Sequence, residues 1–171
     1  MHKVFLGLGG NIGNKEENFI RVHRLIAKML GPIKQASSLY EAPPWGFSSE
    51  DNFWNQVVEI ETVLEAEELL WRIKEIEEML GRKSAEASNE RYTSRPMDID
   101  ILYFDDAYFE TQSLTVPHPR IQDRLFVLVP LVEIAPEFKH PLLRMTNLTL
   151  LDNCKDKSII RKVELPPAAP S

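Results

Sequence analysis

Arg95-Pro96-Met97-Asp98-Ile99-Asp100-Ile101-Leu102-Tyr103-Phe104 reads as a buried β-strand, rich in branched and aromatic side chains and closed by the polar pair Asp105 and Asp106. Its anomaly is a pair of carboxylates. Because side chains alternate along a strand, Asp98 and Asp100 project from one face, followed on that face by Leu102 and Phe104. Like charges held together in partly buried surroundings call for a cation. Mg²⁺ takes one or two protein carboxylates and completes its octahedron with water and phosphate oxygens. An isolated D-x-D is more often a strand end whose acids face solvent. The context here is basic: residues 82–95 hold Arg82, Lys83, Arg91 and Arg95 against Glu86 and Glu90. Carboxylates beside guanidiniums suit a metal-bound polyphosphate.

The 171-residue chain fits one domain, and its 43% hydrophobic content is that of a globular protein with a real core. A net charge of −6 argues against broad affinity for nucleic acid or membranes, while a local basic patch still serves one anionic ligand. The single cysteine, Cys154, permits no internal disulfide and fits a reducing compartment. The apolar run at residues 4–8 is too short for a signal-peptide core, and nothing approaches membrane-span length. A cytoplasmic protein is expected.

Taken in order, residues 4–8 predict a strand and Gly9-Gly10-Asn11-Ile12-Gly13-Asn14 a tight turn whose spacing matches neither nucleotide-binding glycine fingerprint. Asn14 is placed to cap a helix with Phe19, Val22, Ile26, Met29 and Leu30 on its apolar face, stopped by Gly31-Pro32. A strand is expected over 33–40, then a loop, Glu41-Ala42-Pro43-Pro44-Trp45-Gly46-Phe47, whose prolines and aromatics suit a flat ligand or a plain connection. Residues 53–63 read as a strand with Phe53, Asn55 and Val57 on one face, either an ordinary strand terminus or an aromatic and an amide for a heterocycle. Residues 64–80 give the clearest helix, ended by Gly81 and carrying Glu77 near its C-terminus. In Leu114-Thr115-Val116-Pro117-His118-Pro119, the prolines fix the direction of His118, as a structural turn would equally need. Residues 125–134 predict a short helix, and the prolines after residue 160 a flexible tail.

Several of these motifs in this order resemble one family, 6-hydroxymethyl-7,8-dihydropterin pyrophosphokinase, from Leu6-Gly7-Leu8-Gly9-Gly10-Asn11 to Ile134-Ala135-Pro136-Glu137. The resemblance rests on Tyr40-Glu41-Ala42-Pro43-Pro44-Trp45-Gly46, Phe53-Trp54-Asn55, Ile76-Glu77 with Gly81-Arg82, the D-x-D strand and Leu114 to Pro119. It implies transfer of diphosphate from ATP to the pterin hydroxymethyl oxygen, releasing AMP, in folate biosynthesis. It also implies an α/β (α+β) fold, three α-β-α layers around a mixed, mainly antiparallel sheet with a ferredoxin-like core, spanning residues 1–160 and followed by a tail at 161–171. By the same resemblance Asp98 and Asp100 hold two Mg²⁺ ions, and Arg82 and Arg95 are the catalytic clamps on the phosphates. Lys74, Glu77, Tyr92, Thr115, His118 and Arg124 surround ATP. The pterin lies between Phe53 and Phe126, with Asn55 and the segment Ala42, Pro43, Pro44 and Trp45 along its edge. The partners are then small molecules, with no nucleic acid or membrane, and a monomer is expected, with a homodimer as the alternative.

The chain departs from the family's usual pattern in places. Tyr92-Thr93-Ser94-Arg95 replaces a Trp-Gly-Pro-Arg type run, Ser84 stands where a second loop arginine is common, Lys74 where glutamine is, and Ala42 where threonine is. A D-x-D glycosyltransferase is a competing reading, disfavoured because no sugar-nucleotide domain is identifiable. A non-catalytic scaffold is disfavoured by the joint presence of Asp98, Asp100, Arg82 and Arg95.

Overall fold

The first strand, β1 (His2–Gly10), is apolar on both faces because it lies inside the sheet. In the computed structural model, which describes residues 1–42, 52–81 and 96–164, β1 is flanked by β4 (Phe53–Thr62) and by the D-x-D strand β5 (Asp98–Phe104). Beyond β4 lie β2 (Ile33–Ala36) and β3 (Tyr40–Ala42), and a short strand β8 (Arg161–Lys162) closes the far edge. Two helices connect these strands, α1 (Lys15–Met29) after β1 and α2 (Ala66–Met79) after β4. The order β5-β1-β4 with β2 and β3 outside is the split βαβ arrangement of a ferredoxin-like core. Every described pairing is antiparallel, so the expected mixed sheet carries no parallel pair among these residues. Each connecting helix returns the chain to the starting end of the sheet, and strands of opposite direction then become neighbours.

Alternation along the strands feeds two cores. Val4, Leu6, Leu8, Val58 and Ile60 meet α1 and α2 through Val22, Ile26, Leu69, Ile73 and Ile76. On the other face Phe5, Val57 and Leu102 meet α3 (Leu125–Ile134) and α4 (Asn147–Asn153) through Leu128, Leu131 and Leu150. The result is the expected three layers. Each fully buried Ile or Leu contributes ~1.5–3 kcal/mol by leaving water, so both faces are strongly held.

Local signals explain the helix ends. The Asn14 side chain accepts the Glu17 N–H at 3.0 Å, and α1 stops at Gly31, whose φ of +150° brings an added Cβ to 1.9 Å from the Glu61 carbonyl oxygen. The strand expected over 33–40 is instead two short ones. Between them the Ser37 hydroxyl, not a backbone carbonyl, accepts the Val57 N–H at 3.0 Å, which breaks the ladder. The chain after β5 forms a hairpin of β6 (Phe109–Glu110) and β7 (Thr115–Val116), and a 3₁₀ turn at Ile121–Asp123 leads into α3.

β8 carries the ordered sheet two residues past the boundary expected at 160, because Arg161 and Lys162 pair with Glu41 and Tyr40 at an otherwise open edge. Residues 165–171 lie outside those described. Among the described residues no helix is long and apolar enough to cross a membrane.

Candidate active site

The sheet brings the sequence's polar anomalies into one row. Asp98 lies opposite Gly9 on β1, Gly9 opposite Asn55 on β4, and Asn55 opposite Tyr40 on β3. Partners across an antiparallel pair share a face, so Asp98, Asn55 and Tyr40 point the same way. One row deeper, Asp100 faces Gly7, which faces Val57. Two glycines on β1 therefore put no side chain of that strand between the carboxylates and the β4 amide, a shallow trough into which Leu102 reaches beside Gly7, 3.5 Å from where a Cβ would stand. Asn55 overhangs it so closely that a Cβ at Gly9 would sit 2.9 Å from its Oδ1.

Gly9 was expected in a turn; it is a strand residue whose missing side chain makes room for the Asn55 amide, and the left-handed turn angle falls to Gly13, with φ +71°. The signal that could have found this is the spacing of Gly7 and Gly9, two apart on a strand and in phase with the D-x-D pair.

Asp98 and Asp100 are half-buried, as their positions near the end of β5 require. Asn55 is only 7% exposed, yet its Nδ2 has no hydrogen-bond partner among the described residues. A buried donor without a partner costs ~1–3 kcal/mol, which a ligand carrying an acceptor recovers. Phe53 is half-buried two residues before Asn55 on the same face and pairs with Ala42. Phe126, in the first turn of α3, packs partly buried against the second core, and the Arg124 guanidinium lies 5.5 Å from its ring centroid.

Glu77 reaches the opposite flank of β5. It is 5% exposed on α2, and its carboxylate accepts the Ile99 N–H, between the two aspartates, at 2.8 Å. β5 is an edge strand, so this bond satisfies an amide that the sheet leaves over. Lys74 is exposed three residues earlier on the same helix.

The segment after β7 folds back along β5, with the His118 N–H donating to the Leu102 carbonyl at 2.9 Å. The His118 Nδ1 accepts the Arg120 N–H at 3.1 Å, which leaves Nε2 to carry the proton of the neutral ring. Burial, aided by the Arg124 and Arg120 charges and opposed by Asp98, lowers its pKa to about 4. His118, Arg124 and Asp98 therefore share one electrostatic neighbourhood. Thr115 and His118 also line a cavity of ≈ 330 Å³ with Tyr108, Gln122 and His140.

The structure thus gathers Asp98, Asp100, His118 and Arg124 near one end of the sheet, with Phe53, Asn55 and Ala42 on the strands beside them and Phe126 on the helix above. Pro43, Pro44, Trp45, Arg82, Tyr92 and Arg95 lie outside the described residues, as do Ser84 and Thr93.

Strand order and layers define a ferredoxin-like α+β protein whose polar side chains gather at one end of an antiparallel sheet. A family model described as 7,8-dihydro-6-hydroxymethylpterin-pyrophosphokinase (HPPK) matches residues 5–136, and the chain belongs to that family. It is 38% identical over 144 residues to the 2-amino-4-hydroxy-6-hydroxymethyldihydropteridine pyrophosphokinase of Aquifex aeolicus, covering 84% of this chain and 87% of that one. It is 39% identical over 135 residues to the enzyme of the same name from Bacillus subtilis, covering 78% of each. A crystal structure of Plasmodium falciparum HPPK-DHPS superposes with a TM-score of 0.71 at 20% identity over 88% of this chain, and the chain spans 44% of that longer protein. That last likeness concerns the fold.

Proposed function

We propose that the trough binds a pterin and the β-phosphate end of ATP together, with Asn55 reading the ring and Asp98 and Asp100 facing the phosphates. The chain is an ATP-dependent pyrophosphokinase of folate biosynthesis: it transfers diphosphate from ATP to the hydroxymethyl oxygen of 6-hydroxymethyl-7,8-dihydropterin and releases AMP. The observation that carries the site reading is the buried Nδ2 of Asn55, without a hydrogen-bond partner among the described residues, in the same row as Asp98. Two strand spacings of about 4.8 Å put these residues roughly 10 Å apart, room for a bicyclic ring and a one-carbon arm.

Phe53 and Phe126 supply aromatic surface on the β4 and α3 sides, and the ring's polar edge meets Asn55 and the segment Ala42 to Trp45. Displacement at phosphorus gives the protein little covalent chemistry, so its part is alignment and charge neutralisation. His118, neutral across the physiological range with Nδ1 already engaged, offers its Nε2–H as a donor to phosphate oxygen. Arg124 adds positive charge at the start of α3, and Glu77 holds the edge of β5 so that both aspartates keep their direction. Lys74 and Thr115 border the nucleotide, with Tyr92; Arg82 and Arg95 clamp its phosphates.

Among the described residues no group of three or more His, Cys, Asp or Glu side chains could by itself hold a metal. Two hard carboxylates on one strand face instead fit Mg²⁺, which takes one or two protein ligands and fills its shell from water and phosphate. When bound, Mg²⁺ neutralises phosphate charge and acidifies the hydroxymethyl group. Asp98 and Asp100 would hold two such ions. The acidic charge supports small-molecule rather than nucleic-acid partners, and the lone Cys154 fits a reducing, cytoplasmic setting; the proposed form is a monomer, with a homodimer as the alternative.

Asp98→Asn and Asp100→Asn test the assignment, since each keeps its shape and loses a charged ligand. Turnover is expected to fall by on the order of 10²-fold or more. The unfolding transition should stay in place, and wild-type rates in both variants would contradict the assignment.

A further inference from the structure

On the far side of Asn55 lies a cluster to which the reaction assigns no role. Tyr40, paired with Asn55 across β3 and β4, donates its hydroxyl to Glu133 of α3. The other oxygen of that carboxylate accepts the Ser38 N–H at 2.8 Å and the Ser38 hydroxyl at 3.1 Å. One side chain thus ties α3 to β3 and to the segment before it.

The bonds are of the strong, charge-assisted kind. Glu133 is an exposed residue; the partial desolvation of its carboxylate is the largest influence and opposes ionisation, but the Tyr40 and Ser38 hydrogen bonds and the Lys162 charge outweigh it and lower its pKa. Burial and Glu133 together push Tyr40 up to about 12. Lys162 is the residue opposite Tyr40 on β8, so the last strand contributes to the same anchor.

The position of the anchor gives it its meaning. Phe126 and Glu133 are seven residues apart, two turns along one side of α3, about 10 Å at 1.5 Å per residue. Pro130 lies between them and has no N–H for the Phe126 carbonyl, yet the helix runs unbroken from Leu125 to Ile134, so Phe126 and Glu133 keep a fixed spacing along it. On the sheet side, Tyr40 and Ala42 alternate with Glu41 on β3, and Ala42 pairs with Phe53. The two ends of the anchor therefore sit on α3, which carries Phe126, and on β3, which pairs with the strand that carries Phe53.

We infer that Glu133, held by Tyr40 and Ser38, is a positioning residue that sets the gap between Phe126 and Phe53 and thereby the fit of the pterin ring. The inference rests on the pterin site proposed above. Glu133→Ala and Tyr40→Phe are compared with Glu133→Gln, which keeps an acceptor for Ser38 and a polar partner for Tyr40, and with Phe126→Ala as a control for the wall itself. Steady-state kinetics should show the pterin KM raised about tenfold in Glu133→Ala and severalfold in Tyr40→Phe. The KM for ATP and kcat should stay within about twofold, and Glu133→Gln should recover most of the loss.

Lower thermal stability with an unchanged pterin KM in Tyr40→Phe and Glu133→Ala would make the cluster purely structural and overturn the inference. Should Glu133→Ala not fold, Tyr40→Phe alone decides. If Phe126→Ala also leaves the pterin KM unchanged, the pterin wall fails first; if Phe126→Ala weakens binding and the anchor variants do not, only the positioning role fails.

Discussion

Gly9→Ala adds one methyl group at the point where the trough is narrowest. The new Cβ falls 2.9 Å from Asn55 Oδ1, with the Trp54 carbonyl oxygen next at 3.8 Å. Carbon–oxygen contacts settle at about 3.3–3.6 Å, so the amide must retreat by roughly half an ångström. The backbone does not object, since Gly9 is a strand residue without positive φ. Overpacking costs ~1–3 kcal/mol, of which ~0.5–1 kcal/mol is returned because alanine loses less entropy than glycine in a strand. Stability should then fall by no more than ~2.5 kcal/mol. The amide loses its aim, and one net hydrogen bond of ~0.5–1.5 kcal/mol corresponds to an affinity loss of about 2–13-fold.

Calorimetric titration with pterin in the presence of a non-hydrolysable ATP analogue measures the second effect and urea unfolding the first. The nucleotide affinity should not change. On an Asn55→Ala background the glycine substitution should cost pterin affinity nothing further, because both act through one amide. Full pterin affinity in a folded Gly9→Ala protein would refute the claim that Asn55 reads the ring.

Glu77→Ala should destabilise the fold by ~1–3 kcal/mol by leaving the Ile99 N–H buried without its acceptor, and Glu77→Gln should cost less; equal unfolding midpoints for the alanine variant and wild type would contradict that role. His2 hydrogen-bonds Asp105 at 2.6 Å and Glu65 at 3.0 Å and stacks on Phe104, and these acids raise its pKa, the Glu65 bond most. Its stabilisation is fully present below the unfolded value of about 6.5 and is lost as pH rises through the higher folded value. The stability difference between wild type and His2→Gln should shrink across that window in urea titrations at stepped pH, and a difference that grows with pH would reverse the assignment.

Much of this was legible in local patterns. Asn14, the apolar stripe from Phe19 to Leu30 and Gly31 mark α1, and alternation alone puts Asp98 and Asp100 on one face. The strand break at Ser37 was not legible, because a side-chain hydroxyl competing for the Val57 N–H is a contact across 20 residues. Nor was the Tyr40–Glu133 anchor, which joins residues 93 apart and has no periodic signature on either element. The bond from Glu77 to the Ile99 N–H was not legible either, because it joins a helix to a strand edge 22 residues on. Gly9 was misread for a physical reason: a glycine kept for close approach looks in sequence like one kept for a turn, and only its register against Asn55 distinguishes them.

Diphosphate transfer aligned by the two aspartates is the reaction proposed for this site. Its most direct measurement is incubation of the protein with ATP, Mg²⁺ and 6-hydroxymethyl-7,8-dihydropterin, resolving the nucleotide products by chromatography for wild type and Asp98→Asn. Pterin-dependent AMP from wild type, nearly absent from the variant, is the predicted result. ADP in place of AMP, or undiminished AMP from Asp98→Asn, would contradict it.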